Sequence, residues 1–565
     1  MINHCQKQSV EPRFIMNYLK IGKASDLRGN DRKLYRALEI FPGFLSWATL
    51  LVLAVLSYFK PVWVAYFIIA FDVYWLLLVV YLGVHLLVSY RRLRQNEKID
   101  WKKKCEELPS TFPRNKEMIG RETSVPRRAF GCSPEESAGA GTPLATAGAR
   151  WQEIIHLIIL PTYNESLDVI KLSFEGLVND GYPTDKMIVV LAVEERGGKK
   201  ALDNAKEIER EYGDKFKRFL ITVHPDGIEG ELKGKGANQA WAAREVKRKI
   251  IDPLNLDYDK ILVSVFDIDT VVYPGYFYCL SYKFLTVKNP YRASYQPVPV
   301  YHNNIWQAPF FARVAASSNT FWQMMQQIRQ EKLATYSSHS MTWRALVDIG
   351  FWATNMVSED SRIFWHCFLR YGGDYRVEPL YFPVSMDVCM DEKVSRTAKN
   401  LYKQQRRWGW GVENLPYLMF NAIKNWKNFN KPGVRWKVIS RVLNQVYGFH
   451  SWATNAIIIG VIGWLPLILG GDRFNATVLS GNLPIVTRYL MTAAMFGLVL
   501  SAIVSTFLLP DRPKKYGFGK MVAMVSQWLI LPLSIIVFGA VPAIDAQTRL
   551  MLGKYMGFWV TPKKR

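Results

Sequence analysis

The chain has 565 residues, of which 49% are hydrophobic and 14% aromatic, enough for more than one structural unit. Its formal net charge of +24 is of the size found in soluble nucleic-acid binders. The apolar residues, however, gather into long uninterrupted blocks, which argues against nucleic acid and for an anionic membrane surface and anionic substrates. Cysteines at 5, 105, 132, 279, 367 and 389 form no CxxC pair, so the pattern favours neither a zinc site nor a disulfide framework.

In chain order, a cytosolic segment over 1–40 precedes a hairpin of transmembrane helices over 41–90, with blocks at 41–59 and 62–88. No apolar block begins the chain, so no cleavable signal peptide is expected. Arg91, Arg92, Arg94, Lys98, Lys102, Lys103 and Lys104 crowd the exit of the second block, which predicts a cytoplasmic face there. Within 91–150, the stretch 131–150 lacks aromatics and is rich in Gly, Ala, Ser, Thr and Pro, the composition of a flexible linker.

Over 151–412 short apolar runs alternate with helical patterns. Strands are expected at 154–160, 187–193, 219–223 and 261–266, and helices at 167–177, 199–212 and 237–249, which together read as an α/β sheet. Ligands of such sheets gather at the carboxyl ends of strands. Those ends carry Thr162, Tyr163 and Glu165, then Glu194 and Glu195, then the stretch from His224, and finally Asp267 and Asp269. Alternation in an extended chain would turn both aspartates to one side. Lys233-Gly-Lys235-Gly-Ala-Asn238 combines glycines, cations and a helix start, all suited to an anion. Ser358-Glu359-Asp360 opens a helical pattern, with Ser358 a candidate cap, and Gln404-Gln405-Arg406-Arg407-Trp408 joins cations to a flat aromatic face. An amphipathic interface helix is expected at 413–431, with Leu418, Phe420, Ile423, Trp426 and Phe429 on its apolar face.

A C-terminal transmembrane region over 432–565 carries apolar blocks at 442–469, 489–509 and 521–543, for four or five spans in all. Arg512, Lys514, Lys515 and Lys520 put the last connector on the cytoplasmic side with the central domain. Five spans would place Arg549, Lys554, Lys563, Lys564 and Arg565 on the opposite side against the same rule, so a re-entrant or interfacial return after Val541 is the alternative.

The order Asp267-Ile-Asp269, Ser358-Glu-Asp360, Gln404 to Trp408 resembles the membrane-bound family 2 glycosyltransferases, the group of cellulose and hyaluronan synthases, with their DxD, TED and QxxRW signatures. The resemblance spans 153–411 and departs from the family at Glu194-Glu195, where aspartates are usual, and at Ser358, where threonine is. It implies a polytopic protein with a GT-A-type, Rossmann-like α/β catalytic domain inserted between transmembrane α-helices, cytoplasmic and in the plasma membrane. Donor binding would fall to Thr162, Tyr163, Glu165, Glu194, Glu195, Lys235, Asn238, Asp267, Gln404 and Arg407, and acceptor binding to Trp408. Asp267 and Asp269 would hold Mg²⁺ or Mn²⁺, Asp269 most directly, and Asp360, with Glu359 beside it, would be the general base. The implied reaction is inverting transfer from a UDP- or GDP-sugar to a growing polysaccharide, with export through its own membrane region. Transfer of one sugar to a lipid acceptor, and a sugar-nucleotide sensor or transporter, are the alternatives. The end 557–563 also resembles the cytosolic piece that follows a span in some of these synthases.

Overall fold

The computed structural model describes residues 18–108, 150–429 and 432–561. The linker expected at 131–150, apart from Arg150, lies outside the described residues, as do Cys5, Cys132 and the basic end Lys563, Lys564 and Arg565.

Among the described residues, eight strands form one mixed sheet: β1 (Ile155–Thr162), β2 (Met187–Glu194), β3 (Arg218–His224), β4 (Ile261–Val265), β5 (Val271–Val272), β6 (Ala293–Val300), β7 (His339–Thr342) and β8 (Arg376–Ser385). Their order is β3-β2-β1-β4-β7-β6-β8-β5. The first four are parallel, so their carboxyl ends share one edge. The strand β7 runs antiparallel to both β4 and β6, while β6 and β8 are parallel. Continuous apolar runs let both faces of β1 and β2 be covered. Leu157, Ile159, Ile188 and Val190 enter one core, and Ile158, Leu160, Val189 and Leu191 the other. Helices Leu167–Asn179 and Gly198–Tyr212 cover the second face, through Phe174 and Ile208. Helix Lys235–Val246 covers the first through Ala240 and Ala243.

Among the described residues, four helical stretches are long and apolar enough to cross a membrane: Gly29–Phe59, Pro61–Glu97, Val478–Leu508 and Phe518–Met551. A fifth candidate, Gly433–Gly460 with Ile462–Leu469, is bent by 41°. The first two are tied to the sheet body, Tyr35 by burial in its core and Asn96 by a bond from Nδ2 to the Leu380 carbonyl at 2.9 Å.

The last stretch touches the sheet body at both ends. Near its start, Arg313 Nε donates to Gln527 Oε1 at 2.6 Å. Near its finish, Arg406 Nη1 reaches Asp545 Oδ2 at 2.9 Å and Arg36 Nη1 the Leu550 carbonyl at 2.8 Å. Two segments of it, Gln527–Ile530 and Ile536–Ala540, depart from α-helical geometry.

The segment 413–431 departs from the expected interface helix. Helix Asn414–Lys424 buries Leu418 and Phe420, with Phe420 in edge contact with Tyr18 and Tyr35 at 5.3 Å each. The N-terminal segment and the first long helix cover the apolar face that the sequence left unpartnered, and Ile423 and Trp426 stay exposed.

Candidate active site

The carboxyl edge of β1–β4 gathers three loops. After β1, Glu165 turns back on its own loop, where Oε2 accepts from Thr162 Oγ1 at 2.9 Å, Tyr163 N at 2.8 Å and Asn164 N at 3.2 Å. After β2, Glu194 is buried and ion-paired to Arg196, whose guanidinium lies 4.3 Å above the Tyr163 ring. Glu195 faces the next loop and accepts from Asp226 N at 2.8 Å. A Cβ on Gly197 would stand 2.2 Å from the Tyr163 carbonyl oxygen, so only glycine lets the β1 and β2 loops approach this closely. Arg196 and Asp226 were not picked out from sequence; the arginine beside the acidic pair was the available signal.

Asn238 sits just behind the carboxyl end of β2. It is fully buried and its Nδ2 donates to the Ala192 carbonyl at 2.7 Å, which ties its helix to β2.

Asp267 and Asp269 do not continue a strand. The strand β4 ends at Val265, and Thr270 N donates to the Asp267 carbonyl at 2.8 Å, so the pair sits on a turn and the alternation argument fails. The carboxylates consequently have different surroundings. Asp267 is a quarter exposed and meets Lys235 Nζ at 2.6 Å. Asp269 is 1% exposed, with Oδ2 accepting from Asp387 N at 3.0 Å. Asn303 Nδ2 bridges the Asp269 carbonyl at 2.9 Å and Asp387 Oδ1 at 2.8 Å. Neither Asn303 nor Asp387 was marked by the sequence, because each comes from beyond β6 or β8, strands the apolar pattern did not reveal.

Lys235 joins the separate motifs. Its ammonium also meets Asp360 Oδ2 at 2.8 Å and Oδ1 at 3.0 Å. Burial disfavours its charge, but Asp267, Asp360 and Glu359 together outweigh that and raise its pKa. Glu359 and Asp360 open helix Glu359–Arg370. Burial, then the charge of Asp360, pushes the Glu359 carboxyl up to about 8 against the pull of Lys235. Ser358 makes no side-chain cap to this helix; its hydroxyl points instead to Glu413 at 2.7 Å.

Gln404, Arg407 and Trp408 lie on helix Val394–Gly409, all half-buried. Arg407 acts electrostatically on both Glu359 and Tyr301, and Tyr301 in turn feels Asp269 and Asp267. Trp408 packs against the apolar cluster of Tyr301, Ile305 and Met524. Arg406 is turned away to Asp545, which it meets at 2.9 Å. The C-terminal tail closes over this group. Phe558 lies 5.0 Å beneath the Arg407 guanidinium and against Gly234, and Lys403 Nζ sits 5.2 Å over Trp559. The structure thus brings together Lys235, Asp267, Asp269, Glu359, Asp360 and Arg407. A cavity of about 500 Å³ lies away from them among Leu498, Ala502, Phe507 and Trp528 of the apolar helices.

Among the described residues no cluster of three or more His, Cys, Asp or Glu side chains is grouped as a metal site. Mg²⁺ and Mn²⁺ need fewer where a substrate supplies phosphate oxygens, since one or two carboxylates then suffice. The all-oxygen pair Asp267 and Asp269 meets that condition.

Residues 262–540 match the family model described as Glycosyl transferase family group 2. The match covers just under half of the chain, running from β4 into the last apolar stretch and leaving β1–β3 outside it. No curated protein matches the sequence. Among solved structures, the mannosyltransferase PcManGT from Pyrobaculum calidifontis in complex with GDP-Man and Mn²⁺ is similar over 76% of this chain and 99% of its own, at 13% identity and a TM-score of 0.38. S. aureus TarS 1-349 in complex with UDP-GlcNAc is similar over 63% of this chain and 91% of its own, at 12% identity and a TM-score of 0.33.

Proposed function

We propose that this chain is an inverting, metal-dependent glycosyltransferase of the membrane, which moves a sugar from a UDP- or GDP-sugar to a growing polysaccharide and has its catalytic body on the cytoplasmic side. One observation carries the reading: Lys235 binds Asp267 and Asp360 at 2.6 and 2.8 Å, so the DxD-like turn, the Ser-Glu-Asp helix start and the glycine-lysine segment share one point in space. In this reading Asp360 takes the proton of an acceptor hydroxyl as its oxygen bonds to the anomeric carbon and the bond to the diphosphate breaks. A single displacement inverts the sugar. Asp267 and Asp269 would hold Mg²⁺ or Mn²⁺, which when bound neutralises charge on the departing diphosphate. Arg407 offers the diphosphate a planar fork of donors, and Trp408 offers a sugar ring a flat apolar face. The tyrosine at 163 and the acidic residues at 194 and 195 would receive the nucleoside. The apolar helices and the +24 charge support a membrane location with the basic loops inward.

The test is release of nucleoside diphosphate by the purified protein from UDP-glucose, UDP-N-acetylglucosamine and GDP-mannose, with mass spectrometry of the product. Asp360→Asn should lower turnover about 10²–10⁴-fold, and Asp269→Ala or chelation of divalent cations should remove it. A polymeric product supports the synthase, a single sugar on lipid the non-processive alternative. Full activity in Asp360→Asn would overturn Asp360 as the base, and donor binding without any release would overturn the enzyme reading in favour of a sensor or transporter.

A further inference from the structure

Glu413 is a carboxylate 6% exposed, on the turn Trp410–Glu413 that prolongs the helix bearing Gln404, Arg407 and Trp408. Its Oε1 accepts from Val357 N at 3.2 Å, Ser358 N at 2.8 Å and Ser358 Oγ at 2.7 Å. Its Oε2 accepts from Trp410 Nε1 at 2.8 Å. The next residue continues the pattern: Asn414 Nδ2 donates to Ser358 Oγ at 3.0 Å and Ser361 Oγ at 2.8 Å, and its Oδ1 accepts from Arg362 Nε at 2.6 Å.

Three of the four donors to Glu413 belong to the two residues just before Glu359 and Asp360. A buried donor left without an acceptor is costly, so these three fix where the helix of Asp360 begins. The fourth belongs to Trp410, two residues beyond Trp408. A carboxylate can accept all four bonds; a carboxamide cannot, because one of its two ends is a donor. Burial raises the Glu413 pKa, while Arg362 and the Ser358 donors favour the charged form. The Ser358 hydroxyl is used twice, giving to Glu413 and receiving from Asn414, which accounts for a hydroxyl residue before the Glu-Asp pair.

We propose, resting on the glycosyltransferase reading above, that Glu413 is a positioning residue that holds Asp360 within reach of the acceptor hydroxyl and locks it to the helix of Arg407 and Trp408. A misplacement of about 1 Å in such a group can cost about 10²-fold in rate. The effect of losing Glu413 should therefore fall on kcat and spare donor binding.

The experiment compares Glu413→Gln, Trp410→Phe and the double variant with the parent, using whichever of UDP-glucose, UDP-N-acetylglucosamine and GDP-mannose the parent turns over fastest. Glutamine can satisfy Val357 and Ser358 only by aiming its NH₂ at the indole N–H, and phenylalanine at 410 removes that N–H. Glu413→Gln should lower kcat about tenfold to a hundredfold, with donor KM within about twofold and UDP or GDP binding intact, and adding Trp410→Phe should restore most of the loss. An unchanged kcat in Glu413→Gln, a donor KM rising in step with the fall in kcat, or a double variant no better than the single one would overturn the proposal. Should Glu413→Gln fail to accumulate, Ser358→Thr and Ser358→Ala decide: threonine should keep activity and alanine lose it, and equal rates in the two would overturn it. A parent that releases nucleoside diphosphate from none of the three donors sinks the enzyme reading itself, whereas an active parent with an indifferent Glu413→Gln sinks this inference alone.

Discussion

Glu359 makes a stability prediction whose sign is fixed by its surroundings. Its side chain is 2% exposed beside Asp360, and burial followed by that neighbouring charge moves its carboxyl from 4.5 to about 8. The unfolded chain gives up this proton near the lower value and the folded chain near the higher one. Between the two, the folded state binds the extra proton, so the contribution of Glu359 is fully present below the unfolded value and is lost as pH rises toward the folded one. At about 1.4 kcal/mol per pH unit, the loss across that window is on the order of 3–5 kcal/mol. Glutamine has no proton to release, so Glu359→Gln should remove this part of the slope. Thermal unfolding of the detergent-solubilised parent and variant, followed by tryptophan fluorescence from about pH 5 to about pH 9, measures it. The melting temperature of the variant relative to the parent should climb steadily to about pH 8 and then level. A difference that stays flat over this range, or declines, would refute the placement of a protonated carboxyl in the core of the site.

Two further outcomes test the closure of the site. Gly234 has φ of +156°, and a Cβ there would stand 2.6 Å from the Phe558 ring, so Gly234→Ala should lift the C-terminal tail and speed tryptic cleavage at Lys554 roughly tenfold. Unchanged cleavage would show that the tail does not rest on this loop. Asp545→Asn weakens the hold on Arg406 and Arg549, both partly exposed pairs, and should cost about 1 kcal/mol. It should slow nucleotide release while donor binding is retained, and an unaltered rate would show that the last apolar stretch does not steer the helix of Arg407.

The first half of the sheet was legible because β1, β2 and β4 are predominantly apolar runs, the mark of strands covered on both faces. The second half was hidden by its polarity. The strand β6 carries Gln296, Pro297 and Pro299, and β8 carries Pro379 and Pro383, residues that normally argue against an interior strand. They are accommodated by a register shift between Gln296 and Val298, and by internal bonds such as Tyr336 N to Gln296 Oε1 at 2.9 Å. Missing these strands meant missing Asn303 and Asp387, which sit at their ends beside Asp269. The acidic motifs themselves could be read from residue type and order, but the ammonium between Asp267 and Asp360 could not, since it depends on where a helix start 32 residues before the first of them lands. The burial of Leu418 and Phe420 was likewise invisible locally, because their partners Tyr18 and Tyr35 lie nearly four hundred residues earlier.

The stretch Phe518–Met551 is fastened to the sheet body at Gln527 and again at Asp545, and to the first long helix at Leu550. A helix pinned at one end can answer a change in bilayer thickness by tilting; one pinned at both ends has no such freedom. Strain from acyl chains that are too long or too short would pass through Asp545 into Arg406 and its neighbours. In the membrane glycosyltransferase proposed above, reconstitution in lipids of graded chain length would then tune the rate of transfer.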